Sequence, residues 1–157
     1  MGDAERRGTA LGQVLELAIL LNDDMTRALA RDGLTVARTH LLWELHRRGP
    51  STQRVLADAL EVSPRNITGL VDGLVDGLVA TGFVTREPHP GDRRAALVSP
   101  TAHGTRTASR MEEERAHLAE LLFSTMSERQ FDGFADGLEL VLTRLREEIT
   151  TAGEAGP

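Results

Sequence analysis

A chain of 157 residues is long enough for one domain with a core of its own, and its zero cysteines exclude disulfides, thiolate metal sites and cysteine redox sensing. The net charge of −6 argues against a nucleic-acid partner only in bulk, because Arg38–Gly104 carries 8 arginines against 7 acids while Thr105–Pro157 carries 6 against 11. No run reaches the roughly 18 apolar residues of a membrane span, and the polar start MGDAERRGTALGQ lacks a secretory apolar stretch, so no membrane association and a cytoplasmic location are expected.

Periodicity is helical nearly throughout. Leu11, Val14, Leu15, Ala18, Leu21, Met25 and Leu29 recur at three- and four-residue steps, and Asp32-Gly33 supplies a left-handed stop. Thr35 caps a second helix through Val36, Leu41, Leu42 and Leu45, with Arg47-Arg48 in its last turn and Gly49-Pro50 beyond. Ser51 or Thr52 caps a short third helix with Val55, Leu56, Ala59 and Leu60. Ser63 with Pro64 at the first helical position then opens a fourth, to Thr81. The pair Thr52–Leu60 and Ser63–Thr81 has the spacing of a helix-turn-helix.

Gly82 ends the fourth helix. Phe83–Arg86 and Ala95–Ser99 are β-compatible runs around the tip Pro88-His89-Pro90-Gly91-Asp92-Arg93-Arg94, which reads as a β-ribbon or wing. Thr101 caps a helix to about Thr125 and Ser127 a last one to about Thr150, leaving Thr151–Pro157 as an expected disordered tail. Both long helices are amphipathic: Met111, Leu118, Leu121, Leu122 and Phe123, then Phe131, Phe134, Leu138, Leu142, Leu145 and Ile149. Dimerisation, together with the first helix, is their expected role, with packing inside one chain as the alternative. The fold class is mainly α with a small β-wing, a winged helix-turn-helix flanked by dimerisation helices.

Five scattered histidines show no metal-ligand spacing, and no cofactor-binding pattern occurs. Ser99 and His103 lie near each other without a nucleophile elbow, a phosphate-binding glycine loop or a partner acid, so no catalytic residue is expected.

The residues in this order resemble the multiple-antibiotic-resistance regulator (MarR) family of winged-helix transcription factors. The resemblance rests on Asp92-x-Arg94 followed by Val98-x-x-Thr101-x-x-Gly104, on Gly82-Phe83-Val84-Thr85-Arg86, and on Leu34-Thr35-x-x-Arg38. It covers about Leu11 to Ile149 and implies one MarR-like domain over 1–157: a DNA-binding lobe at 34–104, with dimerisation helices at 9–32 and 101–150. It further implies a homodimeric repressor on the palindromic operator of double-stranded DNA, released by a small aromatic or phenolic effector. A winged-helix protein-interaction module with weakened DNA binding is the alternative.

A helix N-terminus offers free N–H groups and a positive dipole end, which suits Ser63, Arg65 and Asn66 to DNA. Arg65 has the donors for guanine, Asn66 for adenine or phosphate, and Thr68 a methyl for thymine. Thr52, Gln53 and Arg54 begin the preceding helix and are expected at the backbone. Arg93 and Arg94 are candidates for the minor groove, with Asp92 positioning the tip by a charge-assisted hydrogen bond and His89 near a phosphate. Asn22, Met25, His40, Trp43 and His46, on the first two helices, are candidate pocket residues, although Trp43 also fits a core position.

Against the family pattern the fourth helix is four residues too long. Val71–Leu74 and Val75–Leu78 are two copies of Val-Asp-Gly-Leu where one suffices. Four residues add about 6 Å and about 400° of rotation, so the apolar stripe Ile67, Leu70, Val71, Leu74, Val75, Leu78 is expected to stay nearly in phase. The distance from helix tip to wing is not.

Overall fold

The computed structural model describes residues 2–60 and 67–154, without the side chains of Ile67, Thr68 and Glu154. The elements are α1 (Asp3–Arg31), α2 (Val36–Arg48), β1 (Ser51–Thr52), α3 (Gln53–Ala59), α4 (Ile67–Ala80), β2 (Val84–His89), β3 (Asp92–Pro100), α5 (Ala102–Phe123) and α6 (Glu128–Glu154). They form two compact units that divide within α5, between Arg110 and Met111.

Caps set the boundaries of the first unit. Gly33 at φ 71° lets the chain turn out of α1, and the Thr35 hydroxyl accepts the Arg38 N–H to open α2. Thr52 does the same for α3 through the Val55 N–H. At the far end of α4 the Gly82 N–H bonds to the Val79 carbonyl and the Phe83 N–H to that of Leu78, with Gly82 at φ 79°. This paired closure needs a left-handed residue and fixes where the helix stops.

The core of this unit lies between α2, α3, α4 and the sheet. Leu41, Leu42, Leu45, Leu56, Val75, Leu78 and Val98 are fully or almost fully buried, with Val71, Phe83 and Val84 close behind. The stripe expected along α4 is narrower than its sequence suggests. Val71, Val75 and Leu78 are buried and Leu74 half-buried, but Leu70 is 45% exposed. Leu70 lies on the flank of the stripe, where no element among the described residues covers it fully.

The sheet has three antiparallel strands in the order β1-β3-β2. Ser51 and Thr52, expected only as cap residues, also pair with Val98 and Leu97 and supply the third strand. The wing strands are longer than their propensity suggests. Pairing runs from Val84–Pro100 to His89–Asp92 with an irregularity at Pro88/His89, so Pro90-Gly91 alone forms the tip. Cross-strand pairing with Leu97 and Ala96 carries Glu87 and Pro88 into β structure despite their weak strand preference.

Thr101 joins wing to helix. Its backbone N–H and its hydroxyl both reach the Phe83 carbonyl, the hydroxyl lies 2.7 Å from the Gly82 carbonyl, and it accepts the Gly104 N–H at 3.0 Å as the cap of α5.

In the second unit, Ser127 and Gln130 cap α6 reciprocally: the Ser127 N–H donates to the Gln130 Oε1 and the Gln130 N–H to the Ser127 hydroxyl. Phe123 packs against Phe131 and Phe134 at 5.6 and 5.7 Å between ring centres. The expected disordered tail is corrected in part, since α6 continues through Thr151–Glu154. The Thr151 hydroxyl donates back to the Glu147 carbonyl, and no glycine cap or proline intervenes before that turn. No helix among the described residues is long and apolar enough to cross a membrane.

Candidate nucleic-acid interface

Two elements carry the candidate contacts, the α3–α4 pair and the β2–β3 ribbon. Ser63, Arg65 and Asn66 lie outside the described residues, and of Thr68 only the backbone, in the first turn of α4, is described. Arg54 is exposed near the start of α3, while Thr52 is half-buried and committed to capping. Gln53, expected at the DNA backbone, donates its side-chain amide to the Asp72 carboxylate of α4.

On the ribbon, Arg93 and Arg94 are exposed on successive residues of β3, within the irregular stretch next to the tip. Asp92 Oδ1 accepts the backbone N–H of Arg94 at 2.9 Å, a local turn that leaves the guanidinium uncommitted by this bond. His89 is half-buried, and its Nδ1 accepts the Gly91 N–H at 3.0 Å. In this conformation that nitrogen serves the turn, not an outside ligand.

A charged network that sequence spacing did not disclose ties the two elements together. Arg86 of β2 lies between the two aspartates of the repeated turn, with Nη1 2.9 Å from Asp76 Oδ1 and Nη2 3.7 Å from Asp72 Oδ1. The aspartates are four residues apart, one turn on the same face, so one guanidinium spans both. Nearby, the Arg38 guanidinium covers Gly77, where a β-carbon would displace it; Gly69 and Gly73 face open space. The sequence offered a signal in Asp72 and Asp76 at i, i+4. Their partners are set only by how the ribbon folds back on α4.

The candidate pocket residues lie spread along two helices. Asn22 and Met25 are exposed on α1, His40 is exposed on α2, and Trp43 and His46 are half-buried one and two turns further along that helix. No group of three or more His, Cys, Asp or Glu among the described residues is arranged to hold a metal ion.

The chain matches the model of the MarR family over residues 34–96, the segment from the start of α2 to the middle of β3. No curated protein matches it. Among solved structures it is similar to Streptococcus pneumoniae FabT in complex with DNA, with 17% identity and a TM-score of 0.75 over 92% of this chain and 99% of that one. It is similar to the S. aureus MepR–DNA complex, with 19% identity and a TM-score of 0.67 over 85% and 95% of the two chains. A mutant MarR from E. coli complexed with operator DNA gives 22% identity and a TM-score of 0.65 over 90% and 99%. At these identities the likeness speaks for the fold.

Proposed function

We propose, from its match to the model of the MarR family over residues 34–96, that the chain is a DNA-binding transcriptional regulator of that family. The observation that carries this reading is the placement of the family segment. It falls on the α3–α4 pair and the ribbon, and the ribbon presents Arg93 and Arg94 to solvent beside the tip. Structural relatives solved with DNA support it. The family is one of regulators, and no catalytic role is proposed.

In this reading Ser63, Arg65, Asn66 and Thr68 meet the major groove, Arg54 the phosphate backbone, and Arg93 and Arg94 the minor groove. The protein acts as a homodimer, since α1 and α6 each leave an apolar face open. Leu15 and Ile19 are 55% and 62% exposed, and Leu145 and Ile149 53% and 63%. Two lobes related by a two-fold axis read a palindromic operator. Repression, relieved by a small aromatic effector, completes the proposal.

The test is binding to duplex DNA across a salt series. Arginine–phosphate contacts predict a log–log slope of about −0.9 per phosphate neutralised. Arg94→Ala is expected to weaken binding to all sequences and flatten the slope by about one, whereas Arg65→Ala relaxes sequence preference by about 1–3 kcal/mol. Salt-independent binding, or none, overturns the reading.

A further inference from the structure

We propose that Asp72, the aspartate of the first copy of the repeated turn, is an intramolecular stand-in for a DNA phosphate and restrains DNA binding. The inference rests on the DNA-binding reading above and adds a residue to it. Gln53 is the first residue of α3 and one of the three residues that the sequence assigns to the DNA backbone. Its amide nevertheless donates to the Asp72 carboxylate. The same carboxylate stands 3.7 Å from Arg86 Nη2, and its side chain is 47% exposed. An anion thus occupies a side-chain donor that the DNA-binding reading assigns to the DNA backbone.

Asp76 provides the internal contrast. It pairs with Arg86 at 2.9 Å and is 66% exposed, yet Gln53 bonds to Asp72. Both aspartates carry one charge, and they differ in which donor they occupy. Arg86 keeps Asp76 when Asp72 is removed, so the ribbon stays tied to α4. Gln53 is the donor that is set free.

Two consequences follow for DNA. Neutralising Asp72 removes a negative charge from the candidate interface, an effect on phosphate binding that is large at low ionic strength and screened at high. Freeing Gln53 adds a contact that the wild-type protein does not make. A role confined to stability predicts neither consequence.

The experiment uses the full chain and a mixed-sequence duplex of about three helical turns, with fluorescence anisotropy read between low and high salt. Asp72→Asn, which keeps size and an acceptor oxygen, is expected to tighten binding about five- to twentyfold at low salt, fading as salt rises. Asp76→Asn is expected to give a smaller gain. Gln53→Ala is expected to weaken binding several-fold more in an Asp72→Ala background than in the wild type, a coupling that a double-mutant cycle isolates. Equal or weaker binding by both Asp72 variants overturns the proposal, as does an additive cycle, while wild-type DNA binding still stands. Failure of the wild type itself to bind the duplex overturns the DNA-binding reading and this proposal with it.

Discussion

Gly104 and Gly73 are both helical glycines, yet they answer to different physics. A β-carbon at Gly104 would overlap the Phe83 carbonyl oxygen, the oxygen that also accepts from the Thr101 N–H. Backbone holds that oxygen in place, so the strain has no flexible side chain to absorb it. Gly104→Ala is expected to cost more than about 3 kcal/mol in chemical denaturation. At Gly73 nothing lies within 4 Å of an added β-carbon. Gly73→Ala is therefore expected to stabilise by about 0.5–1 kcal/mol through helix propensity alone, read from the same denaturation midpoints. The sequence showed both glycines and ranked neither. Thr101 and Gly104 were legible as a motif, but its reason, a helix start packed onto the end of another helix, is tertiary.

The repeated turn belongs to the scale of the element. Because Gly-Leu-Val-Asp recurs with a four-residue period, either copy offers the same side chains to the core, to Arg38 and to Arg86. The paired closure at Val79–Phe83 pins the carboxy-terminal end of α4 and sets the second copy, with Gly77 under Arg38 and Asp76 nearer to Arg86. The extra length then falls on the amino-terminal side, toward Ser63–Asn66. Deleting Val75–Leu78 moves the first copy into those same contacts and shortens the helix by about 6 Å. The expected outcome is retained helical content by circular dichroism with a changed footprint or affinity at fixed salt. Unchanged footprint and affinity would sink the idea that the duplication re-specifies binding. Helix periods and caps were readable here because they depend on neighbours within four residues. The two-residue β1 was not, since Ser51-Thr52 becomes a strand only by pairing with Leu97 and Val98.

For the whole molecule, the question is what covers the open apolar faces of α1 and α6. Of the large apolar residues on α1 only Leu29 is buried, while Leu11, Leu15, Ile19 and Leu20 are each more than half exposed. On α6, Leu140, Leu145 and Ile149 are likewise more than half exposed. Surface of this kind on two long helices predicts a second copy as its cover. Sedimentation equilibrium is expected to show a dimer in the micromolar range, and Leu15→Asp or Leu145→Asp to shift it to monomer with the circular dichroism of the lobe intact. A monomeric wild type at that concentration removes the homodimer from the proposal.

Amphipathic spacing, capping residues and the ribbon's turn residues are local, so the sequence by itself determined the helical order, the wing and the arginines at its tip. Contacts between residues far apart in the chain are not local. Tertiary structure alone decided which copy of the repeat faces Arg38 and Arg86, and that Gln53 is held by Asp72. Two identical turns are indistinguishable until a fixed helix end and a folded ribbon make one of them the neighbour of each partner.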